Sequence, residues 1–215
     1  MPADLEVRHL EGYRVAMKLR ALLGLAALGL IASETHAHPH VWVTGQASFQ
    51  IEDTKLTRVG MRWQFDAFFS QVLGSDFDTN ADGTFDDAET QAMKDQVFTS
   101  LRDFGYFTHI RTSDGEKRDA FERVENFFVG QDKGELVFEF DLVLAEPLDP
   151  LQNPVGLSLY DPTIYVDLIL GGESPVEIAG GSQLGCALEY RQGDEVTSQS
   201  FFIVPQEVWL NCAGS

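Results

Sequence analysis

Apolar and polar residues alternate with a period of two along much of the chain. Val59, Met61, Trp63 and Phe65 are separated by Gly60, Arg62 and Gln64, and Leu136, Phe138, Phe140, Leu142 and Leu144 by Val137, Glu139, Asp141 and Val143. A strand with one buried face has this period. Further strands are predicted at 41–50, 106–112, 156–159, 165–170, 187–191 and 201–204. Turns fall at Asp114-Gly115, Asp132-Lys133-Gly134 and Pro147-Leu148-Asp149-Pro150. Helical spacing interrupts this pattern only at about 66–105. Ala67, Phe68, Val72 and Leu73 make a short stripe, and Met93, Val97, Leu101 and Phe104 a longer one that ends at Gly105, a C-terminal stop. The pattern predicts an α+β fold: mainly antiparallel β-sheet or sandwich, with a helix–loop–helix inserted between an early strand and its successors.

Between the two helical stripes the chain reads DTNADGTFDDAE, residues 78–89, a calcium loop of the EF-hand type. Calcium takes six to eight hard oxygens, and the loop offers them at fixed spacing. Asp78, Asn80 and Asp82 hold the first, third and fifth positions. Gly83 permits the sharp turn that follows, Thr84 offers its carbonyl, Asp86 binds directly or through water, and Glu89 closes the shell with both carboxylate oxygens. Phe85 fills the apolar slot. Acid-rich turns also occur without metal, but here six requirements are met in register. No second such loop is present in the sequence, so a structural calcium site is expected rather than a paired sensor.

The first forty residues read as an export signal. Lys18 and Arg20 precede an apolar run over 21–32, and Thr35-His36-Ala37 supplies a small-residue cleavage pattern. Residues 1–37 are therefore read as a signal peptide, with Met17 a possible true start, and 38–215 as a single periplasmic domain. The run is too short to span a bilayer, and the processed chain is not expected to be membrane-spanning. The formal net charge is −19. Four basic and four acidic residues lie in 1–37, so processing leaves that charge unchanged. Such a surface repels nucleic acid and anionic lipid and concentrates cations; solubility or a saline habitat would also account for it. Cys186 and Cys212 are expected to form a disulfide in an oxidising compartment, stabilising by roughly 3 kcal/mol, with two buried thiols as the alternative. They form no CxxC pair, so redox catalysis has no support.

Cleavage after Ala37 would set a free amine beside His38, with His40 two residues on in an extended chain. Two imidazoles and an amine suit Zn2+, Ni2+, Co2+ or Cu2+. Pro39 has no amide N–H to lose, which excludes one common amino-terminal copper and nickel motif. The bland reading is a polar start to a strand anchored by Trp42. His109 is a third candidate imidazole, and a satisfied surface histidine is its alternative. Asp161, before Pro162, is a further candidate whose alternative is a structural corner.

The post-signal HPHVWV, the strand ending Trp63-Gln64-Phe65, the calcium loop, Gly105-Tyr106-Phe107-Thr108 and Tyr160-Asp161-Pro162-Thr163 together resemble a bacterial domain-of-unknown-function family. That family is described as the periplasmic component of an uncharacterised ABC-type transport system and accompanies nickel, cobalt or zinc transport. The resemblance implies a secreted, metal-associated accessory protein that works with an inner-membrane metal transporter, with His38 and His40 matching the family's amino-terminal pair. Beyond Leu170 the resemblance weakens.

Three functions follow from these residues. One is a periplasmic protein that captures a transition metal for a transporter while calcium shapes the helical insert. Another is a calcium-stabilised interaction module without metal delivery. An enzyme, such as an oxidative copper enzyme built on an amino-terminal histidine, is the third. No Gly-x-Ser-x-Gly turn, Cys/His nucleophile pair, phosphate loop or HExxH motif supports catalysis, so the protein is expected not to be an enzyme.

Overall fold

A computed structural model describes residues 40–198 and 201–213. Among the described residues, twelve strands and two short α-helices follow the order β1 Val41–Glu52, β2 Lys55–Phe65, α1 Ala67–Phe77, α2 Asp87–Met93, β3 Thr108–Thr112, β4 Phe121–Asp132, β5 Glu135–Leu148, β6 Val155–Leu159, β7 Val166–Leu170, β8 Val176–Gly180, β9 Cys186–Gln192, β10 Val196–Ser198, β11 Phe201–Ile203 and β12 Gln206–Cys212. The chain is thus mostly β, with a helical insert between β2 and β3.

The larger sheet runs β4-β5-β2-β1-β7, with β8 also on β1. It departs from the antiparallel expectation, because β7 and β8 both pair with β1 in parallel. The residues between β2 and β7 let the chain return to β1 running the same way, which a tight hairpin cannot do. The smaller sheet, β3-β6-β12-β9, is antiparallel throughout, and β10 and β11 form a separate two-stranded pair. Lys133 and Gly134 turn β4 into β5 with φ of 54° and 85°, as a two-residue hairpin loop requires.

Alternation places Val43, Ala47 and Phe49 of β1, Val59, Met61 and Trp63 of β2, and Phe138, Phe140 and Leu142 of β5 on one buried face. Ile110, Leu157 and Leu210 bring the smaller sheet into the same core. Gly45 allows that approach: a Cβ there would lie 2.6 Å from Leu159 Cδ1. On the outer side of the smaller sheet, the Arg111 and Arg191 guanidinium carbons lie 5.3 and 5.0 Å from the Trp209 ring, covering an indole that would otherwise meet water. Cys186 and Cys212 face each other across β9 and β12 and are joined as a disulfide.

The insert packs through residues that the simple stripe misplaces. In α1, Phe68 and Val72 are exposed, while Leu73 is buried and Phe69 packs on the core. Ser70 stitches the helix to the sheet, accepting the Leu136 amide at 2.8 Å and donating to the Phe65 carbonyl. After α2 the backbone passes through a π-helical turn, Lys94–Phe98, and 3₁₀ turns over Thr99–Phe107. The wider π turn shifts the inward face by a residue, so Phe98 is fully buried and Phe104 is exposed. Phe98 then lies 4.5, 4.7 and 5.0 Å from Phe127, Phe140 and Tyr106. The strand predicted from Tyr106 begins instead at Thr108. Gly105, Tyr106 and Phe107 take φ of 60°, 51° and 51°, a left-handed corner that ends the helical run as the Gly105 stop predicted. Among the described residues no helix is long and apolar enough to cross a membrane.

Candidate functional site

Two places carry the residues singled out by the sequence. The first is the acidic loop, residues 78–89, held between α1 and α2. Gly83 takes φ of 78°, and Ala81 a left-handed φ of 58°. Asp78 accepts the amides of Asp82 and Gly83 at 3.2 and 2.9 Å, and Asn80 accepts that of Asp82 at 2.8 Å. Asp82 accepts the Thr84 amide and hydroxyl at 2.8 and 2.7 Å. Asp86 caps α2 through the amides of Ala88 and Glu89, and Glu89 returns the bond to the Asp86 amide at 3.1 Å, a capping box. The other Glu89 oxygen accepts the Thr79 amide and hydroxyl at 2.7 and 2.8 Å.

These donors lower two carboxyl pKa values. The Thr84 hydroxyl, then its amide, hold Asp82 below the ordinary carboxylate range; the Thr79 hydroxyl, then the Asp86 amide, do the same for Glu89. The donor set is all oxygen, and the turn at Gly83 is the one a calcium loop needs, so residue types and backbone fit a hard cation. Its carboxylates bond to the loop's own amides, however. Among the described residues no three His, Cys, Asp or Glu side chains group closely enough to hold a metal ion.

The second place is the start of β1. His38 lies outside the described residues. His40 is exposed; its amide donates to the Tyr165 carbonyl at 2.9 Å, and the two rings lie 4.8 Å apart. Asp161 is 2% exposed and accepts the amides of Thr163, Tyr165 and Val166 at 2.8–3.0 Å together with the Thr163 hydroxyl. It thereby builds the corner between β6 and β7.

His109 stands at the other end of that corner. Its ring stacks on Tyr160 with centroids 3.8 Å apart; Nε2 lies 3.1 Å from the Tyr160 carbonyl and Nδ1 3.5 Å from Asp119 Oδ2. Both neighbours are acceptors, and a neutral imidazole can donate to only one of them. The contact with His109 holds the Asp119 carboxyl below the ordinary range, while burial pushes the Tyr160 phenol up. Residues 160–165 thus join His109 to His40, and the Tyr160 amide donates to the Phe107 carbonyl at 3.1 Å, so three of the segments that carried the family resemblance meet here.

Two residues that position these groups were missed. Asp66 caps α1 through the amides of Phe68 and Phe69 and accepts the Trp42 amide at 3.0 Å, tying the insert to β1; an Asp just before a helical run is a cap signal that would have found it. Asp119 had no signal, since it meets His109 only through the fold.

Residues 23–201 match the family described as "Protein of unknown function (DUF1007)". An uncharacterised protein of Haemophilus influenzae is 30% identical over 168 residues, covering 78% of each chain. An uncharacterised 15.5 kDa protein in the trpE 3′ region of Spirochaeta aurantia is 29% identical over 134 residues, 59% of this chain and 94% of that one.

Proposed function

The chain belongs to the family described as protein of unknown function (DUF1007), and on that footing we propose that it is a periplasmic metal-binding accessory protein of a nickel, cobalt or zinc transport system, with a structural calcium site in its helical insert. The observation that carries the calcium part is the acidic loop: six oxygen-bearing positions at calcium-loop spacing around a left-handed Gly83. Asp78, Asn80, Asp82, Thr84, Asp86 and Glu89 would hold the ion. Calcium supplies a fixed double positive charge that neutralises clustered carboxylates. The chain's own residues prepare for it: Asp82 and Glu89 stay ionised to lower pH than free carboxyls, and the capping box sets the start of α2 against the loop.

For the transition metal, support comes from the resemblance and from His40 at the exposed start of β1. Calorimetry with zinc, nickel, cobalt, copper and calcium on protein beginning at His38 tests both sites. Delivery calls for binding tighter than about micromolar, near −8 kcal/mol, lost in His40→Ala; weaker binding sinks that role. The module without a delivery role is favoured by one observation, the engagement of the His109 ring by Tyr160, on which it stacks, and by Asp119 beside Nδ1. It would be upheld by calcium stabilisation with no transition-metal uptake.

A further inference from the structure

β7 forms an outer edge of the larger sheet, pairing with β1 alone among the described strands. Gly171 donates its amide to the Gly45 carbonyl at 3.0 Å. Successive residues of a strand direct their backbone groups to opposite sides, so Asp167 and Ile169 face β1, and Leu168 and Leu170 turn N–H and C=O outward. The remaining outward amide, that of Val166, is already met by Asp161 at 3.0 Å.

This edge opens on a cleft of about 450 Å³ between β7 and residues 203–206. The walls are apolar, from Leu159, Ile164, Leu168, Ile203, Val204 and Pro205, and the charged residues lining it, Asp161 and Asp167, are both acidic. Asp161 is consumed by the corner, which leaves Asp167 as the exposed charge. Around it, Tyr165 is 51%, Ile169 57% and Phe202 69% exposed. Sheet edges left open are ordinarily blunted by short length, charged side chains, proline, a bulge or a cover. β7, five residues of sequence VDLIL, has no proline and no bulge, and its one charge is Asp167.

We propose that this cleft receives an extended peptide segment of a partner protein, which adds as a strand to the outer edge of β7, lays apolar side chains along the cleft and sets a lysine or arginine against Asp167. The basic character follows from charge: the lining offers only negative groups, on a chain of net charge −19. Backbone bonding to Leu168 and Leu170 would supply affinity, and the alternate side chains selectivity. This inference is independent of any metal.

An acetylated, amidated nonapeptide of alternating lysine and valine is the probe, titrated into the metal-free protein and followed by amide hydrogen exchange. Saturable binding that slows exchange at Leu168 and Leu170 is expected. Methylating alternate backbone nitrogens of the peptide should abolish binding, and Asp167→Lys should weaken it about threefold, the size of an exposed ion pair. The methylated peptide needs no variant, so the test stands even if Asp167→Lys folds poorly. Equal binding of the methylated peptide, equal binding of a glutamate-for-lysine peptide, or protection elsewhere would overturn the proposal. So would protection that rises with protein concentration before peptide is added, since a second copy would then own the edge.

Discussion

In the acidic loop, Asp78, Asp82, Asp86 and Glu89 accept hydrogen bonds from donors within residues 79–89. At the start of β1, the groups that meet come from residues 40, 107, 109, 119 and 160–166, brought together by strand pairing. One region is organised by its own sequence, the other by the sheets around it. A local constellation survives loosening of the tertiary fold and can be retuned by a ligand. A non-local one has no geometry apart from the sheets that assemble it, and its groups are already bonded to one another.

Asp161 separates the two regions most clearly. Replacing it with alanine leaves the part-buried Thr163, Tyr165 and Val166 amides without their acceptor and should cost about 3 kcal/mol, read as a lowered urea midpoint. Calcium response of the insert should persist in that variant. A loss below about 1 kcal/mol would mean that strand pairing alone holds the corner.

Calcium at ten times its dissociation constant should stabilise the wild type by about 1.4 kcal/mol, and Glu89→Gln should erase most of that increment. Melting that is unchanged by chelator would remove the calcium site. Within the same loop, Gly83→Ala, strained by its positive φ with open space around it, should cost about 1 kcal/mol, and Ala81→Gly should stabilise by up to about 1 kcal/mol. Opposite signs two residues apart would show that backbone handedness shapes the loop before any ion arrives.

Acid sharpens the contrast further. Asp82, Glu89 and Asp119 all have folded pKa values below their unfolded ones, so their stabilisation is complete above roughly pH 5 and is lost as pH falls through the unfolded and then the lower folded values. Asp82→Asn and Asp119→Asn should each flatten the acid limb of stability against pH, the first in the loop and the second at His109. The smallest effect on folding is expected from His40→Ala, below about 0.5 kcal/mol as a surface change, although the same variant should abolish transition-metal uptake.

Legibility in the sequence follows the same division. The left-handed turn at Gly83, the Gly105 stop and the strands with unbroken alternation, β1, β2 and β5, could be read directly because neighbouring residues specify them. β4 escaped because its register shifts near Glu125 and Phe128, where Asn126 takes φ of 52°; Val124, Phe127, Phe128 and Val129 then lose the period of two. β12 escaped because Val208, Trp209 and Leu210 are all buried, so an inner strand shows no alternation. The partners of His109 and His40 were invisible for a different reason: Asp119 and Tyr165 reach them only after β3, β6 and β7 are in place. A cap at Asp66 was readable and shows how a purely local signal can carry long-range information, since the same carboxylate also accepts the Trp42 amide.

β1 begins the described chain, yet one flank must wait until β7 and β8 have been made, with Val41 meeting Val166 and Ala47 meeting Val176. A polypeptide emerging from its amino end therefore leaves one side of β1 open through most of its synthesis. Sheet completion becomes a late, slow event dominated by distant contacts, and the nascent protein depends on whatever shields that side in the interval.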